Sequence, residues 1–432
     1  MYNKNAESMP QGQIRDIQLE GLKKTVQRVY SNSPYYKEKF DAVNIHPDDI
    51  KSLDDLQKLP FTEKSDLRDT YPYGMLSAPL SEITRLQASS GTTGKQTIDC
   101  YTKADIDAWA EIAARSLGCA EVDSESIVQV CYGYGLFTGG LGIHYGAERI
   151  GAMVMPMSSG NTERQLQMMA DMGTTHIACT PSYASYLGEQ ISQNKELQKR
   201  IKLRNGILGA EPWSQELREN IESTLGITAL DIYGLTEIMG PGVAMECSHK
   251  NGLHIWEDHF IVEIVDPDTL EAKADTQEGE LVITTINKEG MPLIRYRTRD
   301  ISKIYRTECA CGRTHARIER VKARTDDMLI IKGVNVYPSR IESALLTIDG
   351  VKPHFEIIIS RKGFLDDLEI KVELADDMKI DKISAIDAIE KQISRKLESA
   401  IGISSRIRLC EPGSITRFEG KSKRVTDLRK DN

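Results

Sequence analysis

Apolar residues recur at helical spacing through residues 14–40 (Ile14, Ile17, Leu22, Val26, Val29), and the pattern breaks at Ser33-Pro34. Residues 47–80 read as short helices interrupted by Pro60, Pro72 and Pro79. From residue 83 the texture changes. ITRLQAS and TIDCYT read as two strands around a loop of glycine and threonine, and 103–117 as an amphipathic helix opened by Thr102. SIVQVCY (126–132) and AMVMPM (152–157) are short apolar strands flanking a glycine-rich span, 133–151. THIACTP, NGILGAEP and ALDIYGLTE repeat the scheme of a strand followed by a loop or helix start. That alternation predicts a mostly parallel sheet covered by helices.

From 253 to 307 the pattern is β, and DDMLIIKGVNVYP then leads into an amphipathic helix start. Residues 354–432 read as strand, strand, helix, strand and a basic tail. The predicted class is α/β. A large N-terminal domain (1–325) carries helix-covered sheets and a β subdomain, and a small α+β domain (326–432) follows. A chain of 432 residues agrees, because single cores stop growing near about 250–300 residues. No internal repeat is evident.

Charge and cysteine content narrow the classes. Fifty-five basic against 64 acidic residues give a net −9, which disfavours broad nucleic-acid or acidic-membrane binding. The opening MYNKNAESMPQGQIRD has no apolar core of a secretory signal. No stretch reaches the ~18 apolar residues of a membrane span. Eight cysteines are too sparse for a disulfide scaffold, so a reducing, cytoplasmic setting is expected.

Ser89-Ser90-Gly91-Thr92-Thr93-Gly94-Lys95 is the first chemical signal. Glycines let backbone approach an anion, and successive N–H groups and hydroxyls can hold phosphate oxygens. It is not a Walker loop. Ser89 stands where the first glycine belongs and Gln96 where a magnesium-binding hydroxyl belongs, and the loop joins two strands. A plain glycine-rich hairpin turn is the competing reading.

Further strings agree with it: YGYGLFTGGLGIHYGAERIG (132–151), GAEPW (209–213), YGLTEIMGPGVAMEC (233–247), HIWEDHF (254–260), RYRTRD (295–300) and RTDDMLIIKGVNVYPSRIE (324–342), with Gly420-Lys421 in the tail. In this order and spacing the chain resembles the adenylate-forming acyl-CoA synthetases, and among them the phenylacetate–coenzyme A ligases, along nearly its whole length. The resemblance implies ATP-dependent ligation of an aryl-acetic acid to coenzyme A through an acyl-adenylate, with AMP and pyrophosphate released. It also implies magnesium, a C-terminal domain that rotates as a lid, and a homodimer.

Residue by residue, the resemblance gives the 89–95 loop to the pyrophosphate. It gives Ala210, Glu211, Pro212, Asp231, Ile232, Tyr233 and Gly234 to the nucleotide, with Tyr233 stacked on adenine. Thr236 goes to the α-phosphate and Glu237 to magnesium. Asp300 accepts from the ribose hydroxyls, as an acceptor-only carboxylate suits a diol, and Arg324 contacts the nucleotide. Asp326 is the hinge, and Lys421 bridges the carboxylate and the α-phosphate. The bland alternatives are a core aromatic for Tyr233, a helix-start carboxylate for Glu237, a partner of Arg297 or Arg299 for Asp300, a turn aspartate for Asp326 and a solvated tail for Lys421. Residues 413–432 carry six basic side chains against three acids, net +3, and Lys423 and Arg424 leave the choice of lysine open by a few positions. The acid pocket falls near Tyr132, Tyr134, Gly135 and Phe137, with Ala210 and Ile238 also candidates; aromatics between glycines suit a flat aryl group, but they also fill cores.

Cys309-Ala310-Cys311 resembles half of a zinc site, and a closed structural zinc needs four Cys/His ligands. Cys247, His254, Cys309 and Cys311 are the favoured set, with His249 and His315 as substitutes, and the metal would be structural. Two free thiols in a turn are the other reading. At the level of function, an adenylyltransferase of the same fold that acts on a cofactor or polysaccharide precursor without coenzyme A is the runner-up. A non-catalytic nucleotide- or zinc-binding module is a third class, disfavoured by the joint presence of Glu237 and Lys421. Which aryl acid is used is not written in these motifs.

Overall fold

The computed structural model describes residues 1–89, 96–332, 334–362, 365–375, 383–417 and 424–431. It divides into two compact units. One holds residues 1–179, 200–210 and 228–321, and the other holds 180–199, 211–227 and 322–432.

The first unit begins with helices α1 (Lys4–Glu7), α2 (Gln11–Asn32) and α3 (Pro34–Asp41). Pro34 sits at the first position of α3, where a missing N–H costs nothing, so the helical pattern of 14–40 breaks there into two. The proline-broken stretch supplies α4 (Lys64–Asp69). Strands β1 (Ile83–Ala88) and β2 (Ile98–Thr102) pair antiparallel, with Ala88 opposite Ile98. Thr102 caps α5 (Lys103–Cys119), its hydroxyl accepting from the Asp105 N–H.

Next come β3 (Ile127–Val130), α6 (Thr138–Ile150), β4 (Met153–Met155), α7 (Thr162–Met172) and β5 (His176–Cys179). The glycine-rich span read from sequence is thus largely a helix. Its glycines permit a close approach. A Cβ on Gly142 would lie 2.7 Å from the Trp109 ring, and one on Gly146 2.8 Å from the Ala113 backbone, both on α5. Strands β6 (Asn205–Gly209), β7 (Thr228–Leu235), β8 (Gly240–Glu246) and β9 (Leu253–Ile255) continue the sheet. Strands β4, β3, β5, β6 and β7 lie side by side and parallel, as the alternation predicted, and β8 and β9 then join antiparallel. Beyond them, β10 (Phe260–Val265), β11 (Gly279–Thr285) and β12 (Tyr296–Ser302) form an antiparallel run. The short β13 (Ile304–Tyr305) pairs with β14 (Arg317–Ile318), which returns to pair with β9. Trp109, Trp256, Phe260, Ile112 and Leu253 are buried in this unit's core.

The second unit gathers helix α8 (Pro181–Ser192), most of α9 (Lys195–Arg200) and α10 (Gln215–Leu225) with the C-terminal segment. That segment starts with β15 (Ala323–Arg324), the hairpin β16 (Leu329–Ile331) and β17 (Val334–Val336), and α11 (Pro338–Leu346). Strands β18 (Val351–Lys362) and β19 (Leu365–Leu374) are antiparallel, and after α12 (Ile383–Ile401) the strands β20 (Arg406–Cys410) and β21 (Val425–Asp427) add parallel edges in the order β20-β19-β18-β21. Phe355, Ile357, Ile370, Ile393 and Leu397 form its own core. Among the described residues no helix is long and apolar enough to cross a membrane.

Candidate active site

The segment Tyr233–Glu237 leaves the C-terminal end of β7, where the parallel strands give way to antiparallel β8. Such changes of direction are where α/β sheets open a crevice for ligands. The bend there tolerates no side chain at Gly234, since a Cβ would sit 1.8 Å from the Gly240 carbonyl oxygen. Gly234→Ala is therefore expected to destabilise the protein by about 3 kcal/mol or more, as backbone clashes do, read as a lower denaturant midpoint with unchanged slope. Thr236 and Glu237 occupy the turn between β7 and β8, so the helix-start reading of Glu237 does not apply.

Several predicted residues meet around this turn. Tyr233 Oη donates to Asp300 Oδ2 at 2.7 Å. Asp300 lies where β12 bulges against β11, with Arg299 in the left-handed region (φ 67°), and such bulges re-aim side chains. Thr236 Oγ1 is 3.2 Å from Thr138 Oγ1 at the start of α6. Just upstream, the Leu136 carbonyl accepts from the Ala88 N–H at 2.7 Å, and the Gly135 carbonyl accepts from the Gln87 side chain at 3.3 Å. The aromatic segment thus borders the strand that enters the phosphate loop. Tyr132 is buried with its hydroxyl on the Cys179 carbonyl (2.6 Å), and Ile238 is fully buried. Tyr134 is half-buried, its hydroxyl 3.2 Å from His144 Nδ1; Gly135 has φ 106° and Phe137 is exposed. Ala210 is exposed with φ 72°, and Asp231 Oδ2 is ion-paired with Arg320 (3.1 Å). Ile232 is buried in β7.

Ser90 to Lys95 and Lys421 lie outside the described residues. The loop's anchors do not. The Ser89 N–H donates to the Thr97 carbonyl (2.9 Å), the Thr97 N–H donates to Ser89 Oγ (3.1 Å), and the two hydroxyl oxygens lie 2.9 Å apart. The loop is therefore closed by a two-residue clasp between antiparallel strands, the strand–loop–strand context read from sequence.

Two side chains at this carboxylate escaped the sequence reading. Thr97 Oγ1 donates to Glu237 Oε1 at 3.1 Å, and Lys64 Nζ, from α4, pairs with the same oxygen at 3.0 Å. Thr97 stands two residues beyond the glycine motif, which is a signal of sorts; Lys64 is 173 positions away and nothing in the pattern marks it. A third, Lys288, lies beneath the turn with Asp99, whose carboxyl burial pushes up to about 7 against the pull of the ammonium.

In the second unit, Glu211 Oε1 accepts from the Ser182 N–H at 2.8 Å at the start of α8, and Pro212 follows it. Arg324 forms a two-point pair with Asp326, Nε–Oδ1 2.9 Å and Nη2–Oδ2 3.0 Å. The candidate nucleotide arginine and the candidate hinge are thereby joined.

The ligand atoms of Cys247, His254, Cys309 and Cys311 all lie within 4.8 Å of one another. Cys247 Sγ and Cys309 Sγ are 3.8 Å apart, and Cys311 Sγ is 3.3 Å from His254 Nε2. Tetrahedral zinc with bonds of about 2.3 Å to sulfur would set sulfur–sulfur edges of about 3.8 Å. The hydrogen bond between Cys247 and Cys311 draws the Cys311 thiol far below its usual range, with help from His254 and the Arg313 backbone, and pushes the Cys247 thiol up, so the pair shares one proton. His249 is exposed, and both ring nitrogens of His315 are engaged, by the Glu257 N–H (3.0 Å) and the Ala6 carbonyl (2.8 Å).

With this geometry in view, comparison with known proteins is informative. Residues 38–287 match the AMP-binding enzyme family and 333–429 the AMP-binding enzyme C-terminal domain. The phenylacetate–coenzyme A ligase of Thermus thermophilus is 44% identical over all of both chains. That of Escherichia coli is 47% identical, covering 96% of this chain and 95% of its own. Among solved structures, a 2-hydroxyisobutyryl-CoA ligase in its postadenylation state with an acyl-AMP superposes with a TM-score of 0.91 at 27% identity, covering 99% of this chain and 92% of that one. The same ligase with its acyl-AMP and coenzyme A in the thioesterification state gives 0.72 at 28% identity, covering 98% and 92%.

Proposed function

The chain belongs to the AMP-binding enzymes, and among them to the phenylacetate–coenzyme A ligases, and from that membership we propose its reaction and the residues that carry it. It is an AMP-forming acid–thiol ligase. The acid is phenylacetate or a close aryl-acetic relative. Its carboxylate oxygen attacks the α-phosphorus of ATP, an acyl-adenylate forms and pyrophosphate leaves. The sulfur of coenzyme A then attacks the acyl carbon, AMP leaves with the carboxylate oxygen, and the thiol proton goes to solvent or base. The observation that carries this reading is identity of 44–48% along essentially the whole chain to four such ligases.

The first step brings two anions together, so cationic and N–H donors must offset the repulsion. Ser89 to Lys95 hold the pyrophosphate, and Thr236 holds the α-phosphate. Tyr233 stacks on adenine and Asp300 takes the ribose; their mutual hydrogen bond fixes both. Ala210, Glu211, Pro212, Asp231, Ile232, Gly234 and Arg324 frame the nucleotide. Glu237, with the Thr97 hydroxyl on its carboxylate, would hold magnesium, which takes such hard oxygen donors, and the ion would supply charge neutralisation of the phosphates. Until it binds, Lys64 neutralises that carboxylate. Lys421 bridges the two reacting anions. The aryl group lies beside Tyr132–Phe137.

Residues 1–325 act as the body and 326–432 as a lid that turns at Asp326; an aspartate tied to Arg324 by both oxygens can exchange one partner for another as the backbone turns. Zinc fills the Cys247, His254, Cys309 and Cys311 cluster as a structural ion, supported by its donor set and spacing. A cytoplasmic setting fits the sparse cysteines. The homodimer rests on the resemblance alone, and a sedimenting species of 48.3 kDa would remove it.

The decisive experiment supplies aryl acids with ATP, magnesium and coenzyme A and follows AMP. Acid-dependent AMP with matching loss of free thiol is expected, greatest for arylacetates. Pyrophosphate release without thiol consumption would favour the adenylyltransferase instead.

A further inference from the structure

Beneath the Thr236–Ile238 turn lies an ion pair that no step above employs. The side chains of Lys288 and Asp99 are 0% and 2% exposed. An ammonium has three N–H donors, and this one has three oxygens to meet: Asp99 Oδ2 at 2.5 Å, the Ile238 carbonyl at 2.9 Å and the Glu237 carbonyl at 3.3 Å. It also lies 4.9 Å from the Tyr101 ring centroid, and Tyr101 Oη donates to the Thr236 carbonyl at 3.4 Å. Three successive carbonyls of the turn are thus held from behind.

The origin of these groups is informative. Thr97, just before β2, and Asp99 and Tyr101 within it alternate along the segment that leaves the loop, and alternate residues of extended chain share a face. Thr97 reaches the Glu237 carboxylate, Asp99 reaches the Glu237 carbonyl through Lys288, and Tyr101 reaches the Thr236 carbonyl. Lys288 is fixed in turn by the two residues that follow it. The N–H groups of Glu289 and Gly290 donate to Asp105 at 2.6 and 2.9 Å, and a Cβ on Gly290 would sit 2.1 Å from the Cys100 carbonyl oxygen. A buried ion pair is no better for stability than apolar residues of the same volume, so its value lies in the geometry it imposes.

We propose that Lys288 and Asp99 are positioning residues that set the Thr236–Glu237 turn, and so aim the Glu237 carboxylate at the divalent cation, in register with the strand leaving the phosphate loop. This rests on the roles assigned above to Thr236 and Glu237. Supports of a metal-binding carboxylate typically change affinity or activity about 10- to 100-fold when removed.

The test titrates magnesium calorimetrically into enzyme saturated with a non-hydrolysable ATP analogue, alongside pyrophosphate release and thiolysis of supplied acyl-adenylate. Lys288→Met is expected to weaken magnesium binding about tenfold or more, to slow adenylation by at least as much, and to slow thiolysis, which needs Thr236 but not the Glu237-bound cation, by a smaller factor. Because Lys288→Met alone strands a buried carboxylate, the double variant Asp99→Asn/Lys288→Met, which removes both charges, is measured beside it and should show the same shift. Lys288→Arg should restore part of the binding. Wild-type magnesium affinity in either folded variant would overturn the proposal, and so would equal loss in both half-reactions. Glu237→Gln is the control. If it leaves magnesium binding unchanged, the reading of Glu237 fails; if it shifts binding and the Lys288 variants do not, this proposal alone fails.

Discussion

Replacing Lys421 by alanine is expected to slow acyl-adenylate formation by about 100- to 1,000-fold, the range seen when one donor to a developing charge is lost. Thiolysis of supplied acyl-adenylate should stay within about threefold. The asymmetry follows from the chemistry. Only the first step forces a carboxylate onto a polyphosphate, so only that step needs a cation between them. The tail provides a local charge of +3 in a chain of net −9. Arg424, a rival by position, is engaged elsewhere: its guanidinium pairs with Glu342, lies over the Phe355 ring at 4.6 Å and donates to Ser182 Oγ at 3.2 Å. Lys423→Ala serves as the comparison. Single-turnover measurement of both half-reactions decides it, and equal loss in the two would remove Lys421 from this role.

Stripping the metal from the four-ligand cluster, by chelation or by Cys309→Ser, is expected to lower the melting temperature by roughly 10 °C, taking about 4 kcal/mol lost at 2–4 °C per kcal/mol. Structural zinc contributes far more than that in isolated zinc-finger peptides, but here β9 and β14 also hold the loops through their own pairing. Protein purified with its thiols intact should carry about one zinc per chain by elemental analysis. A metal-free protein of unchanged melting temperature would eliminate the site. Adenylation measured at a temperature where the apo form stays folded should change little, since the ion's place is structural.

The sequence made some of this legible because local chemistry suffices. Ser89 and the glycines announce a loop, alternation on either side announces strands, and the hairpin of β1 and β2 follows from those alone. The members of the Cys/His cluster were legible by donor type, and the strand character of HIWEDHF singled out His254 over His249. What stayed hidden depends on contacts between distant positions. Lys64 and Lys288 look like any solvated lysine until the fold brings each to the Glu237 turn. Helix α6 was hidden by composition, because its glycines weaken helical propensity locally and are explained only by what lies against them, α5 at Gly142 and Gly146 and the Tyr132–Phe137 segment at Gly139 and Gly140. The left-handed conformations of Ala210 and Arg299 likewise have no local signature, since tertiary packing imposes them.

The tight seam of α5 and α6 also bears on how such an enzyme can diversify. Gly142 and Gly146 on α6, and Gly242 on the neighbouring β8, meet Trp109 or Ala113 at separations that admit no added methyl without movement. A lineage exploring new acids therefore gains nothing by mutating this seam, because each change disturbs the scaffold before it touches a substrate. Leu136 and Phe137, exposed at the entry to α6, carry no such constraint. On the proposed placement of the aryl group beside this segment, drift in acid preference is channelled to that rim, while the helices behind it stay fixed.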